Sequence, residues 1–165
     1  MQLKLNKLLI IFLAIFSFIT LGHAADYNYV KEKVSVLKDG SEADKIQVVQ
    51  ELGRLSSNAN FIIDDLIFSL RNDDSLKVRM EIIRALERIG GQANKTVPAL
   101  IEALGDQNWE IRWSAAGALT SFGKKSAMAV PELVGLLRDS EDYVRNAALS
   151  TLGKMGPISV AAMMD

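Results

Sequence analysis

The stretch LGDQNWEIRWSAAGALTSFG, Leu104 to Gly123, decides how this chain folds, because it occurs again on both sides. Thirty-three residues later the chain reads LRDSEDYVRNAALSTLGKMG, Leu137 to Gly156. Upstream it reads LRNDDSLKVRMEIIRALERIG, Leu70 to Gly90, with one extra residue in the turn. Val78, Ile111 and Val144 superpose, as do Leu86, Leu119 and Leu152, and Gly90, Gly123 and Gly156. Self-similarity at a fixed period of this length marks a repeat architecture, in which each unit buries its apolar face only against its neighbours.

Two apolar stripes at helical spacing occur in each unit. The first, the A helix, is expected over about 42–55, 76–89, 109–122 and 142–154; the second, the B helix, over about 60–71, 95–104 and 128–138. At an offset of 34, Ile46 to Leu52 falls on Met80 to Leu86, so a weaker unit begins near Ser41. Before it, Val30, Val34 and Leu37 form one more helical stripe after a short lead-in with Tyr27 and Tyr29, and Gly40 is placed to end it. Pro98 and Pro131 occupy matching places near the start of a B helix, where a missing N–H costs little. The seam between helices is Ile63, Val97 and Val130, then Leu66, Leu100 and Leu133, then Ile67, Ile101 and Val134, then Leu70, Leu104 and Leu137. No stretch alternates with a strand's period. The fold expected is all-α, a right-handed solenoid of about four two-helix units, numbered about 41–75, 76–108, 109–141 and 142–165, the last incomplete.

The order within a unit is Asp, then Val/Ile-Arg, small residues, Leu and Gly, with Val-Pro-x-Leu in the next helix. It is carried by Asp106, Ile111-Arg112-Trp113, Ala115-Ala116, Leu119, Gly123 and Val130-Pro131-x-Leu133. This pattern resembles the short HEAT-like repeats associated with phycobilisome lyases. Ankyrin repeats need a Thr-Pro-Leu-His turn and tetratricopeptide repeats a differently spaced Trp, Leu-Gly and Tyr, and neither occurs. The family often has Asp-Pro in its turn, whereas the turns here read DDSL, DQNW and DSED.

The ends read differently from the middle. Lys4 and Lys7, an apolar or hydroxyl run of fourteen residues from Leu8 to Leu21, and Gly22-His23-Ala24 form the pattern of a secretory signal over residues 1–24, with 25–165 as the repeat domain. The run is short against the ~20 apolar residues of a spanning helix. At the other end Val160, Ala161, Ala162, Met163 and Met164 are apolar, so the last A helix and the stub after it are expected to form a sticky end. That end either self-associates weakly or belongs to a truncated longer array.

Without Lys4 and Lys7 the basic residues number 17 against 20 acidic, a net charge of −3, with no basic stripe for a nucleic acid. The chain has no Cys, and its one His, His23, lies in the signal, so thiolate and imidazole chemistry is excluded from the repeat domain. Deoxyhypusine hydroxylase resembles this architecture, but its His-Glu iron ligands have no counterpart here. No catalytic residue, metal or cofactor is expected; a lyase or hydroxylase with an unrecognised site is the alternative. Arg79, Arg112 and Arg145, with Asp73, Asp106 and Asp139, form a charged ladder that reads as a stacking device rather than an anion site. Trp109 and Trp113 replace Leu76 and Met80 and read as core.

Phe61 and Phe68 are more informative. Phe68 replaces Glu102 and Gly135, and Phe61 replaces Lys95 and Met128. They lie with Asp65 on one stripe of a B helix, the face that the HEAT-like resemblance places on the concave side. The candidate binding face is Phe61, Asp65, Phe68, Lys95, Glu102, Met128 and Glu132, for an unidentified protein or peptide outside the cytoplasm, most simply in a bacterial periplasm. The competing possibility is that the Val30–Leu37 helix covers both phenylalanines. N-terminal sequencing of exported protein is expected to start at Ala25; an intact Met1 in the membrane fraction would show an anchor instead.

Overall fold

A computed structural model describes residues 24–55, 60–157 and 159 of the 165-residue chain. The expected export signal and the apolar stretch Val160–Met164 fall outside the described residues. In chain order the helices are α1 (Ala24–Asp39), α2 (Glu42–Arg54), α3 (Ile63–Asn72), α4 (Leu76–Ile89), α5 (Ala93–Ala103), α6 (Trp109–Ser121), α7 (Val130–Leu136) and α8 (Asp142–Met155). A 3-10 segment, Gly123–Ala129, leads into α7, and no strand occurs among the described residues. The A helices α2, α4, α6 and α8 pack each on the next, and each of the last three packs on the B helix before it, so the architecture is an all-α solenoid. Leu37 of α1 is buried and Val34 and Val36 are half-buried, which seats α1 against α2 and α3 at the first end of the stack.

The core follows the repeated stripes. Ile63, Leu66, Ile67 and Leu70 of α3 are buried, as are Val97, Leu100 and Leu104, then Val130 and Leu133. Ile101, Val134 and Leu137 are half-buried against the same core. Each fully buried Leu or Ile contributes about 1.5–3 kcal/mol relative to exposure. Between A helices Ala115, Ala116, Ala118 and Ala148 are buried, and small side chains there let the helix backbones approach. Gly90, Gly123 and Gly156 follow α4, α6 and the end of α8 with φ of 62°, 52° and 66°. That left-handed turn redirects the chain from A helix to B helix, and glycine adopts it at little cost.

Three local expectations are corrected. The lead-in with Tyr27 and Tyr29 is part of α1, because no Gly or Pro interrupts the chain between Ala24 and Asp39. Pro98 lies at the sixth residue of α5, because that helix starts directly after the left-handed Gln92, whereas Pro131 does sit in the first turn of α7. The third B helix is split. The Ser126 hydroxyl lies within hydrogen-bond distance of the carbonyls of Leu119 (2.8 Å) and Gly123 (2.7 Å) inside the tighter 3-10 turns. Ala93 occupies the matching place in the preceding unit, and α5 there runs as α-helix from its start.

Successive units are tied by their turns. In each turn one aspartate oxygen accepts the N–H two residues on: Ser75 to Asp73 (2.9 Å), Asn108 to Asp106 (2.8 Å) and Glu141 to Asp139 (3.0 Å). The same carboxylates meet a cation from the preceding A helix. Lys45 Nζ lies 2.8 Å from Asp73, Arg79 Nη2 lies 3.5 Å from Asp106, and Arg112 holds Asp139 in a fork of 2.7 and 2.8 Å. Arg112 Nη1 also donates back to the carbonyls of Asp106 (2.9 Å) and Gln107 (3.1 Å), so one guanidinium spans two turns. Arg145 makes the same backward bonds, to Asp139 (2.6 Å) and Ser140 (2.9 Å), and its ion pair among the described residues is with Asp142 of its own helix.

The Arg112 guanidinium holds the Asp139 carboxyl below the ordinary carboxylate range, against the opposing effect of burial. A group with a lowered folded pKa stabilises the fold fully above its unfolded value of about 3.9, and loses that contribution as pH falls through the folded value. Asp139→Asn and Arg112→Ala are each expected to lose about 1–3 kcal/mol near neutral pH in urea unfolding. The Asp139→Asn deficit should shrink below about pH 4; a deficit independent of pH would contradict the ion pair. Gly123→Ala should lower stability by about 1 kcal/mol through its positive φ, whereas Gly117→Ala, in open space inside α6, should raise it by about 0.5–1 kcal/mol. Shifts of the same sign would contradict the assignment of these two roles.

Candidate binding surface

The B-helix surface is built from α3, α5 and the 3-10 segment with α7. Phe61, in the 3-10 turn entering α3, is 48% exposed, Phe68 is 57% exposed, and Met128 is 60% exposed. Lys95, Glu102 and Glu132 are also exposed, while Asp65 is half-buried. Two ion pairs cross from α3 to α5 on this surface, Asp64 to Lys95 at 2.6 Å and Arg71 to Glu102 at 2.7 Å. Exposed pairs of this kind add little stability. Their effect here is to neutralise the charges beside the phenylalanines and leave the apolar rings as the distinctive feature.

Helix α1 lies beside this stripe without covering it. A cleft of about 380 Å³ is lined by Val34, Ser35, Lys38, Asp39, Phe61, Ile62 and Asp65. A second, of about 650 Å³, runs from Leu37, Lys38 and Phe68 to Glu42, Lys45 and the turn Asp73–Ser75. Each cleft therefore has α1 on one side and one phenylalanine on the other. In the second cleft the Ser75 hydroxyl (2.7 Å) and Lys77 (3.2 Å) hydrogen-bond Glu42 and hold its carboxyl below the ordinary range. Those two bonds tie the start of α2 to the start of α4 and leave this rim structural rather than reactive.

Neither tryptophan enters the core. Trp109 is half-buried and stacks on Tyr143 with ring centroids 5.5 Å apart and planes at 22°, while Trp113 is 41% exposed. The reason is the position: Met80 at the matching place is itself only half-buried and Asn146 is exposed, so the site lies at the outer edge of the A row. The sequence reading also missed residues that the repeat reveals once it is extended. Lys45 falls on Arg79 at the offset of 34 and takes its place in the ladder. Ser159, thirty-three residues after Ser126, repeats its paired bonds, to Leu152 (2.8 Å) and Gly156 (2.7 Å). Tyr143 matches Lys77 and Glu110, which marks it as a solvent position carrying an aromatic ring.

One charged cluster elsewhere is internally paired. Glu81, buried on α4, accepts from Arg84 (3.2 Å) and Arg88 (2.6 Å). Among the described residues no group of three or more His, Cys, Asp or Glu could hold a metal ion. No helix among them is long and apolar enough to cross a membrane.

Comparison with solved structures places the fold. A crystal structure of an engineered protein superposes with a TM-score of 0.62 at 21% identity, over 82% of this chain and 67% of that one. A chain from the complex of CpcE and CpcF of phycocyanin lyase from Nostoc sp. PCC7120 superposes with a TM-score of 0.52 at 17% identity, over 79% of this chain and 66% of that one. This chain thus spans about two thirds of each. No curated protein matches it. The family model described as HEAT repeats matches residues 30–106 and again 97–164, across both halves of the stack, and the chain belongs to the HEAT-repeat family.

Proposed function

We propose that this protein is a non-catalytic scaffold that binds a protein or peptide through the B-helix surface, outside the cytoplasm. The observation that carries the reading is the exposure of Phe61 and Phe68 on a surface where the ion pairs Asp64–Lys95 and Arg71–Glu102 offset four of the neighbouring charges. Exposed aromatic rings cost the free protein solubility and contribute most when a partner desolvates them. Met128 extends the apolar surface toward α7, and the clefts beside α1 give each ring a wall against which a partner's side chain can pack. The basic and apolar start of the chain supports action beyond the cytoplasmic membrane.

A repeat scaffold is what the HEAT family membership supports directly. The likeness to a phycocyanin lyase chain is a likeness of fold at 17% identity.

Affinity capture from a cell-envelope extract, read by mass spectrometry, tests the proposal. Phe68→Glu is expected to weaken capture of the specific partner by roughly thirtyfold or more, the effect of losing about 2 kcal/mol at an interface hot spot. Helical circular dichroism should stay unchanged, because Phe68 is largely outside the core. Retention of the partner by this variant would contradict the assignment of the surface.

A further inference from the structure

The phenylalanine stripe is balanced in charge toward α5 but not toward α1. On the α5 side Asp64 and Arg71 are each paired. On the α1 side the two clefts are lined by Asp39, Glu42, Asp65, Asp73 and Asp74 against Lys38 and Lys45. Lys45 holds Asp73, and Lys77 and Ser75 hold Glu42. The carboxylates of Asp39, Asp65 and Asp74 have no ion pair or hydrogen bond with a described residue, and neither has the Lys38 ammonium. Three open carboxylates against one open ammonium leave the clefts with an unpaired charge of −2. The repeat departs from its pattern at the same place. The later units read Glu102-Ala103 and Gly135-Leu136, with the second residue apolar, whereas α3 reads Phe68-Ser69 and inverts the polarity. Ser69 is only 6% exposed, lines the cleft beside Phe68, and its hydroxyl has no hydrogen-bond partner among the described residues. A hydroxyl unpaired at that depth costs stability that the alanine of the next unit does not. It points to a hydrogen-bonding group that enters the cleft.

We propose that these clefts receive arginine side chains from a basic segment of the protein partner, an inference that rests on the reading of the B-helix surface above and names the partner's chemistry. Charge complementarity selects this occupant. A guanidinium carries five N–H donors and no acceptor, so carboxylates and a serine oxygen are the groups that satisfy it. Its planar cation also stacks on the face of a phenylalanine ring. One arginine enters beside Phe61 and meets Asp39 and Asp65; a second enters beside Phe68 and meets Asp74 and the Ser69 hydroxyl. Seven residues of helical rise separate the two rings by roughly 10 Å, which an extended chain covers in about three residues. Lys38, which lines both clefts, is the one open charge that opposes a basic occupant. An acidic segment would gain Lys38 and face three open carboxylates.

Calorimetric titration with synthetic peptides reads the sign of the charge. The probe is an acetylated, amidated peptide with two arginines three residues apart, and its control carries glutamate at both places. The arginine peptide should bind about tenfold or more tightly than the glutamate peptide, and its affinity should fall as salt is raised. Asp65→Asn combined with Asp74→Asn should weaken it by about fivefold or more, with helical circular dichroism unchanged. Lys38→Ala should strengthen it. Ser69→Ala should weaken it without lowering the melting temperature, because alanine stands at the matching place in α5. Equal or tighter binding of the glutamate peptide would overturn the proposal. So would an arginine peptide that does not bind, or one whose affinity the two asparagine changes leave intact. Capture of the natural partner and its loss in Phe68→Glu do not depend on the sign of the partner's charge, so a wrong charge assignment and a wrong surface give different results.

Discussion

A carboxylate in each inter-unit turn has two tasks in this fold, and the stack depends on their being done by the same residue. One oxygen of Asp73, Asp106 or Asp139 fixes the turn by accepting an N–H two residues on. The carboxylate also takes a cation from the preceding A helix. Asp suits the place because its short side chain reaches its own backbone, which the longer Glu does less well. Arg suits the opposite place because its planar fork can grip a carboxylate and two carbonyls at once, as Arg112 does. The pair at Arg112 and Asp139 is the most complete of the series, with side chains only 14% and 7% exposed. Lys45 supplies a single bond to Asp73 and Arg79 a longer contact to Asp106, so the tie is loosest at Arg79 and most complete at Arg112.

Apolar repetition supplies most of the energy around that tie. A two-helix unit has more apolar surface than it can bury alone, and the regular row of Leu, Ile and Val makes the neighbour its solvent. The logic explains both ends of the stack. At the first end α1 applies Leu37 to the stack and closes it, but leaves Phe61 and Phe68 in clefts at its side. At the other end Leu149 takes the orientation that the repeat dictates and meets no equivalent of the next A helix among the described residues. The exposed apolar residues of this protein are therefore of two kinds. Leu149 is exposed because of where it stands in the stack; Phe61 and Phe68 are exposed because an apolar ring occupies a solvent position.

Most of the fold was legible because the repeat gave several readings of each position. Comparison of Val78, Ile111 and Val144, or of the three glycines, separates a structural requirement from an accident of composition, which one amphipathic helix could not do. The same comparison identified Phe61 and Phe68 as departures. It failed where a position has no consistent environment. Trp109 and Trp113 replaced apolar residues and were read as core, yet the outer edge of the A row tolerates Leu76 and Met80 half-buried and leaves Trp113 exposed. The split of the third B helix into a 3-10 segment and α7 is a local geometry that spacing alone does not reveal. The relation of α1 to the phenylalanines was also illegible, since a stripe at Val34 and Leu37 says which face is apolar and not how far across its neighbour it lies.

The central claim is that adjacent units are coupled through the turn carboxylate and the arginine behind it. A double-mutant cycle on Arg112→Ala and Asp139→Ala, measured by urea unfolding at neutral pH and modest salt, tests that most directly. The account predicts a coupling free energy of about 1–3 kcal/mol, the double variant losing less than the sum of the single ones. Additive losses, with a coupling near zero, would contradict it and would leave apolar stacking alone to hold the units together.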